Sequence, residues 1–147
     1  DYDWVAQSGG ASAISDLSDV NTSGVAAGDM LFYNGSNWVP TGGPVTQWTI
    51  GANGSSDYTF SGPGFPSTTN DPVLYLMRGH TYVFVNTTGS SHPFEFRVSN
   101  GGSEYTSGIS GSKSGTQLFT VPMDAPSTLY YQCTIHSGMG NTINIVS

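Results

Sequence analysis

Beyond residue 44 the chain breaks into short apolar segments, none longer than a strand, with Gly, Pro, Ser and Asn between them. The segments are 45–50, 58–60, 73–77, 80–85, 117–121, 129–133 and 142–146. An eighth is Phe94-Glu95-Phe96-Arg97-Val98, where apolar and charged residues alternate with the period of a half-buried strand. No segment carries a credible helix. About eight short strands set off by turn residues predict an all-β fold, a Greek-key β-sandwich. The Gly/Pro-rich passage 61–72 and the Gly/Ser-rich stretch 99–115 are read as interruptions, the second as a long loop.

Charge narrows the function. The net charge is −7, and the basic residues are Arg78, Arg97 and Lys113. Sequence-independent nucleic-acid binding needs basic patches that displace counterions, so it is excluded. Docking on anionic membrane surfaces is disfavoured for the same reason. No stretch is long and apolar enough to span a bilayer, so no membrane insertion is expected. One cysteine leaves no internal disulfide. The chain starts at Asp1 without a visible signal peptide, which reads as a processed form or a piece of a longer protein.

Residues 1–43 form a region of their own. Asp3-Trp4-Val5-Ala6-Gln7-Ser8-Gly9-Gly10 is echoed by Asn37-Trp38-Val39-Pro40-Thr41-Gly42-Gly43, so the first unit looks truncated. Met30-Leu31-Phe32-Tyr33 and Trp38-Val39 predict a hairpin around Asn34-Gly35. A lone hairpin is marginal in water, so this segment is expected to lean on the second domain or on other subunits. The phrase from Ile14 to Thr22, continued from Gly28 to Pro40, resembles a repeat of tailed-bacteriophage fibre and structural proteins, notably those of marine cyanophages. That resemblance implies localisation in the virion, other virion proteins as partners, a homo-oligomer (often a trimer) and a host-surface receptor. It implies no chemistry. Gly42-Gly43-Pro44 marks the junction, so the second domain is 44–147.

In the second domain one window carries chemistry. Cys133-Thr-Ile-His136-Ser-Gly-Met139 follows the strand-like Leu129-Tyr130-Tyr131-Gln132, and His92 precedes Phe94-Glu95-Phe96. A type 1 copper site needs a thiolate, two imidazoles and a weak axial thioether. Cys133, His136 and Met139 come from one tight loop, where Gly138 and Gly140 permit sharp turning, and His92 comes from a distant strand. The bland reading of each residue is packing: a lone cysteine or methionine is ordinarily a core filler. The full set is consistent with a copper site and equally with a fold that kept the residues without the metal.

The same residues resemble the cupredoxin family. Gly79 to Asn86, His92-Pro93-Phe94, the loop from Cys133 to Met139 and Thr142-Ile143-Asn144-Ile145 follow its pattern, and the loop has the short amicyanin length. The resemblance covers roughly residues 45–147 and implies a cupredoxin-like sandwich with His92, Cys133, His136 and Met139 as ligands and copper as cofactor. It departs at one point. The family's bracing Asn adjoins the first histidine, whereas here Asn86 is six positions earlier.

Other chemistries find less. A Cys/His hydrolase would need a third residue to orient the histidine, and none is placed to do so. Zinc would accept Cys133, His92 and His136, but Met139 is a poor zinc ligand. His80 is expected at a strand start, polar and unliganded. Trp38, Trp48, Tyr58 and Tyr105 could build a glycan platform, though such aromatics are more often core. The sequence thus favours a non-enzymatic virion component with a cupredoxin-like domain. A type 1 copper protein for electron transfer or copper storage is the alternative, and host-glycan binding a third.

Overall fold

A computed structural model describes Val20 and residues 31–33, 36–40 and 45–147. Among them are strands and a short 3-10 turn, Gly89–Ser91, but no α-helix. β1 (Leu31–Tyr33) and β2 (Trp38–Pro40) pair antiparallel as the expected hairpin, with Tyr33 opposite Trp38. The hairpin's turn residues, the truncated repeat and the junction at 42–44 lie outside the described residues.

The remaining strands form a two-sheet, all-β sandwich. One sheet has the order β5-β4-β3-β7-β10-β9, comprising β3 (Val45–Asn53), β4 (Asp57–Gly62), β5 (Phe65–Asn70), β7 (Thr81–Asn86), β9 (Ile109–Gly111) and β10 (Thr116–Thr120). The other has the order β6-β12-β11-β8, comprising β6 (Leu74–Met77), β8 (Phe94–Arg97), β11 (Thr128–Cys133) and β12 (Gly140–Val146). Most neighbours are antiparallel, but β3 runs parallel to β7 and β12 parallel to β6.

Two-residue alternation places the aromatic residues between the sheets. Tyr58 and Phe60 of β4 are fully buried, and Phe94 of β8 and Tyr131 of β11 meet both from the opposite sheet, while Phe96 of β8 packs on Phe84 and Phe119. Trp48, Phe84 and Phe119 extend the same core. Burying each large side chain is worth roughly 1.5–3 kcal/mol relative to exposure. Edge-to-face and offset pairs such as Phe84 with Phe96, centroids 5.1 Å apart, add to this.

Three sequence expectations need correction. The passage 61–72 contains edge strand β5, which tolerates Pro66 because an edge residue need not donate to the ladder. The stretch 99–115 contains β9 and runs back along the free edge of β8, with Lys113 and Glu104 bringing charge to Glu95. The strand 94–98 is consequently buried on both faces for part of its length. Glu95 is only 7% exposed, paired with Arg97 at 2.8 Å and with Lys113, and Lys113 also reaches Glu104 at 2.8 Å. Alternation alone does not reveal a polar lid of this kind, because its charges match those of a solvent-facing strand.

Candidate metal centre

Strand register builds this site. β11 pairs antiparallel with β8 so that Cys133 lies opposite Phe94, and the Thr134 amide continues the ladder by donating to Pro93 O at 3.2 Å. His92 is two residues before Phe94, so the pairing brings its loop against the end of β11. The residues after Cys133 then turn back. Met139 N donates to His136 O at 3.0 Å, and Cys133 N donates to Met139 O at 3.0 Å. The chain re-enters the sheet as β12 at Gly140, whose φ of +142° is open to glycine and strained for other residues.

The result is a cluster of three potential ligands. Nδ1 of His92 is 3.1 Å from Nδ1 of His136, and Cys133 Sγ is 3.7 Å from His136 Nδ1. One ligand atom from each of the three lies within 4.8 Å of the others. Cys133 is 2% exposed while both histidines are half-buried, so the sulfur is at the base and the imidazoles nearer solvent. Met139, the fourth residue nominated by sequence, closes the loop through its backbone and is fully buried. Hard cations want several oxygens, and this group offers a thiol and two imidazoles instead. That donor set suits copper or zinc.

The bracing residues come from elsewhere in the fold. Asn86, at the end of β7, donates from Nδ2 to His92 O at 2.8 Å and to Lys113 O at 2.9 Å. Its Oδ1 accepts from the Thr88 amide and from the Thr88 hydroxyl at 2.7 Å, and Thr88 Oγ1 lies 3.1 Å from His92 O. The intervening residues curl through the 3-10 turn and bring Asn86 back to His92. Gln132 holds the other loop, donating to Ser137 O at 2.7 Å and Asn100 Oδ1 at 3.0 Å while accepting from Gly101 N.

Sequence reasoning gave Tyr58 no part in this site, yet its hydroxyl donates toward the carbonyls of His92 and Pro93 at 3.1 and 3.0 Å. Burial, with the neighbouring Cys133 thiol next in effect, pushes its phenol pKa far above the ordinary tyrosine value. Nothing in the sequence signals the role, because Tyr58 belongs to the opposite sheet. The same burial takes Tyr58 and Trp48 out of any glycan platform. His80 is exposed just before β7, with Nδ1 3.3 Å from Arg78 O.

No protein-family model matches the chain, and no curated protein does. Similar solved structures include a rusticyanin variant, 22% identical over 81% of this chain and 88% of that one, with a TM-score of 0.39. Rusticyanin from Thiobacillus ferrooxidans is 21% identical over 69% of this chain and 76% of that one, with a TM-score of 0.40. An amicyanin variant in its reduced Cu(I) form at pH 4 is 22% identical over 51% of this chain and 70% of that one, with a TM-score of 0.36. At such identities and TM-scores the reading of the site rests on its own residues.

Proposed function

We propose that this domain is a type 1 copper-binding protein serving electron transfer or copper storage, with His92, Cys133 and His136 as principal ligands and Met139 as the axial one. The observation that carries this reading is the convergence of two imidazole nitrogens and one thiol, forty-four residues apart at the extremes, on a single point. Bound there, copper would supply one-electron chemistry. The chain's part is to hold the donors. Backbone bonds close the Cys133–Met139 loop, Asn86 and Tyr58 fix His92, and the aromatic core keeps water from the sulfur. A rigid donor set of this kind lowers the reorganisation needed when the metal changes charge. The net charge of −7 suits a basic redox partner.

The test is a copper titration of the reduced chain followed by visible absorption and electron paramagnetic resonance. An intense thiolate-to-copper band is the expected result. Absence of that band, with no tight zinc binding either, would leave the residues as packing only.

The N-terminal phrase supports a setting for this chemistry. We place the domain on a phage virion, carried by the repeat segment and assembled with other virion proteins as a homo-oligomer that meets the host surface. Support comes from the sequence of residues 14–40 and from the exposed Tyr33 and Trp38 of the β1–β2 hairpin, an apolar face that an assembly would cover. Immunogold labelling of purified particles that found the chain nowhere on them would end this reading.

A further inference from the structure

We infer that Tyr58 is a positioning residue of the metal centre, its hydroxyl tying the His92 loop and the segment after Cys133 to the opposite sheet. The inference rests on the copper reading above for its consequence, but the tie itself is present in the metal-free chain.

Tyr58 reaches the site from β4, across the interior of the sandwich. Its hydroxyl meets two successive carbonyls, His92 O at 3.1 Å and Pro93 O at 3.0 Å. Pro93 O is also the acceptor for the Thr134 amide, so the phenol sits where the two site loops join. Tyr58 is itself anchored. Its amide donates to Asp71 Oδ1 at 3.0 Å, and its carbonyl accepts from Asp71 N at 2.8 Å. Asp71 O also accepts from Asn141 Nδ2 at 2.7 Å, one residue past Gly140. The ring is held by Phe94 and Tyr131 at centroid distances of 5.2 and 6.3 Å.

Packing alone does not call for the hydroxyl. A phenylalanine would keep the ring contacts and spare the cost of burying a polar group. What the oxygen adds is a cross-sheet bond to the backbone that carries His92. His92 O keeps Asn86 as a donor without it, and Pro93 O keeps Thr134, so the fold does not depend on this one atom.

The experiment compares Tyr58→Phe with Tyr82→Phe in the full chain. Tyr82 is a buried tyrosine whose hydroxyl accepts from Met77 N, outside the site, so its loss is a matched control. In the metal-free protein, amide exchange at Thr134 is expected to quicken by roughly tenfold in Tyr58→Phe relative to Phe84 in β7, a local opening rather than a global one. In the copper-loaded protein, the thiolate-to-copper band and the reduction potential are expected to shift in Tyr58→Phe and to stay at wild-type values in Tyr82→Phe. Unchanged exchange at Thr134, a uniform rise across the domain, or a band and potential identical to wild type would each overturn the assignment. A wild-type chain that takes up no copper would remove the proposed function, while the exchange measurement would still decide whether the tie exists.

Discussion

Cys133 stands directly opposite Phe94 in the β8–β11 ladder, and this pairing brings the thiol to His92. A slip of one residue would turn every side chain of β11 to the other face and send Cys133 out of the core. The aromatic residues that flank the thiol hold the register: Phe94 stacks on Tyr131, two residues before Cys133, with centroids 5.3 Å apart. The core that stabilises the sandwich therefore also aligns the ligands.

Replacing Cys133 with Ala should abolish copper affinity while costing the metal-free protein only about 1 kcal/mol, comparable to losing one buried methylene. Isothermal titration together with chemical denaturation separates the two effects. Copper binding of wild-type strength in the variant would show that the thiolate assignment is wrong.

Asn86→Ala removes a buried amide that satisfies the His92 and Lys113 carbonyls and the Thr88 side chain. Losing these buried hydrogen bonds, above all the acceptor of the Thr88 amide, should cost roughly 1–3 kcal/mol. Copper affinity should fall about 10- to 100-fold, as when the group orienting a metal ligand is lost. Denaturation midpoints and copper competition with a chelator check the two figures, and a variant that binds copper as wild type does would show that Asn86 does not orient His92.

The two glycines of the metal loop should behave differently. A Cβ on Gly140 would sit 2.1 Å from Tyr131 O at a φ of +142°, so Gly140→Ala should destabilise the domain by more than about 2 kcal/mol. Gly138 has no heavy atom within 4 Å of an added Cβ, and Gly138→Ala should stay within about 0.5 kcal/mol of wild type. Equal melting temperatures for the two variants would contradict the loop geometry.

Lys113 gives a pH dependence. Burial lowers its pKa, but hydrogen bonds and charge attraction from Glu104 and Glu95 outweigh that and hold it above the ordinary lysine value. Above the unfolded lysine's pKa the native state keeps more protons than the unfolded one, so stability falls as pH rises. The contribution is fully present below that value and is lost as pH climbs through the folded pKa. Lys113→Met should flatten this part of the alkaline stability profile, measured by urea denaturation from neutral pH upward. A profile as steep as wild type would mean the ion pairs contribute nothing.

The chain's own pattern told much of this. Alternation at 94–98 and the short apolar segments announced strands and a sandwich, and the spacing from Cys133 to Met139 announced a tight loop at a strand end. Edge strand β5 escaped notice because its residues, rich in Pro, Ser and Thr, look like turn formers. Segment 99–115 looked like free loop because what holds it is ion pairing and hydrogen bonding to β8, β10 and β11, and no local periodicity records such contacts.

The sequence by itself determined the donor types and the local loop, because Cys133, His136 and Met139 are neighbours along one turn of backbone. Only the tertiary structure decided which distant groups complete the site. His92 arrives through the β8–β11 register, Asn86 through a turn that curls the chain back, and Tyr58 across the interior from the other sheet. These contacts depend on strand pairing and on the thickness of the aromatic core, which are properties of packed sheets and have no counterpart in residue spacing.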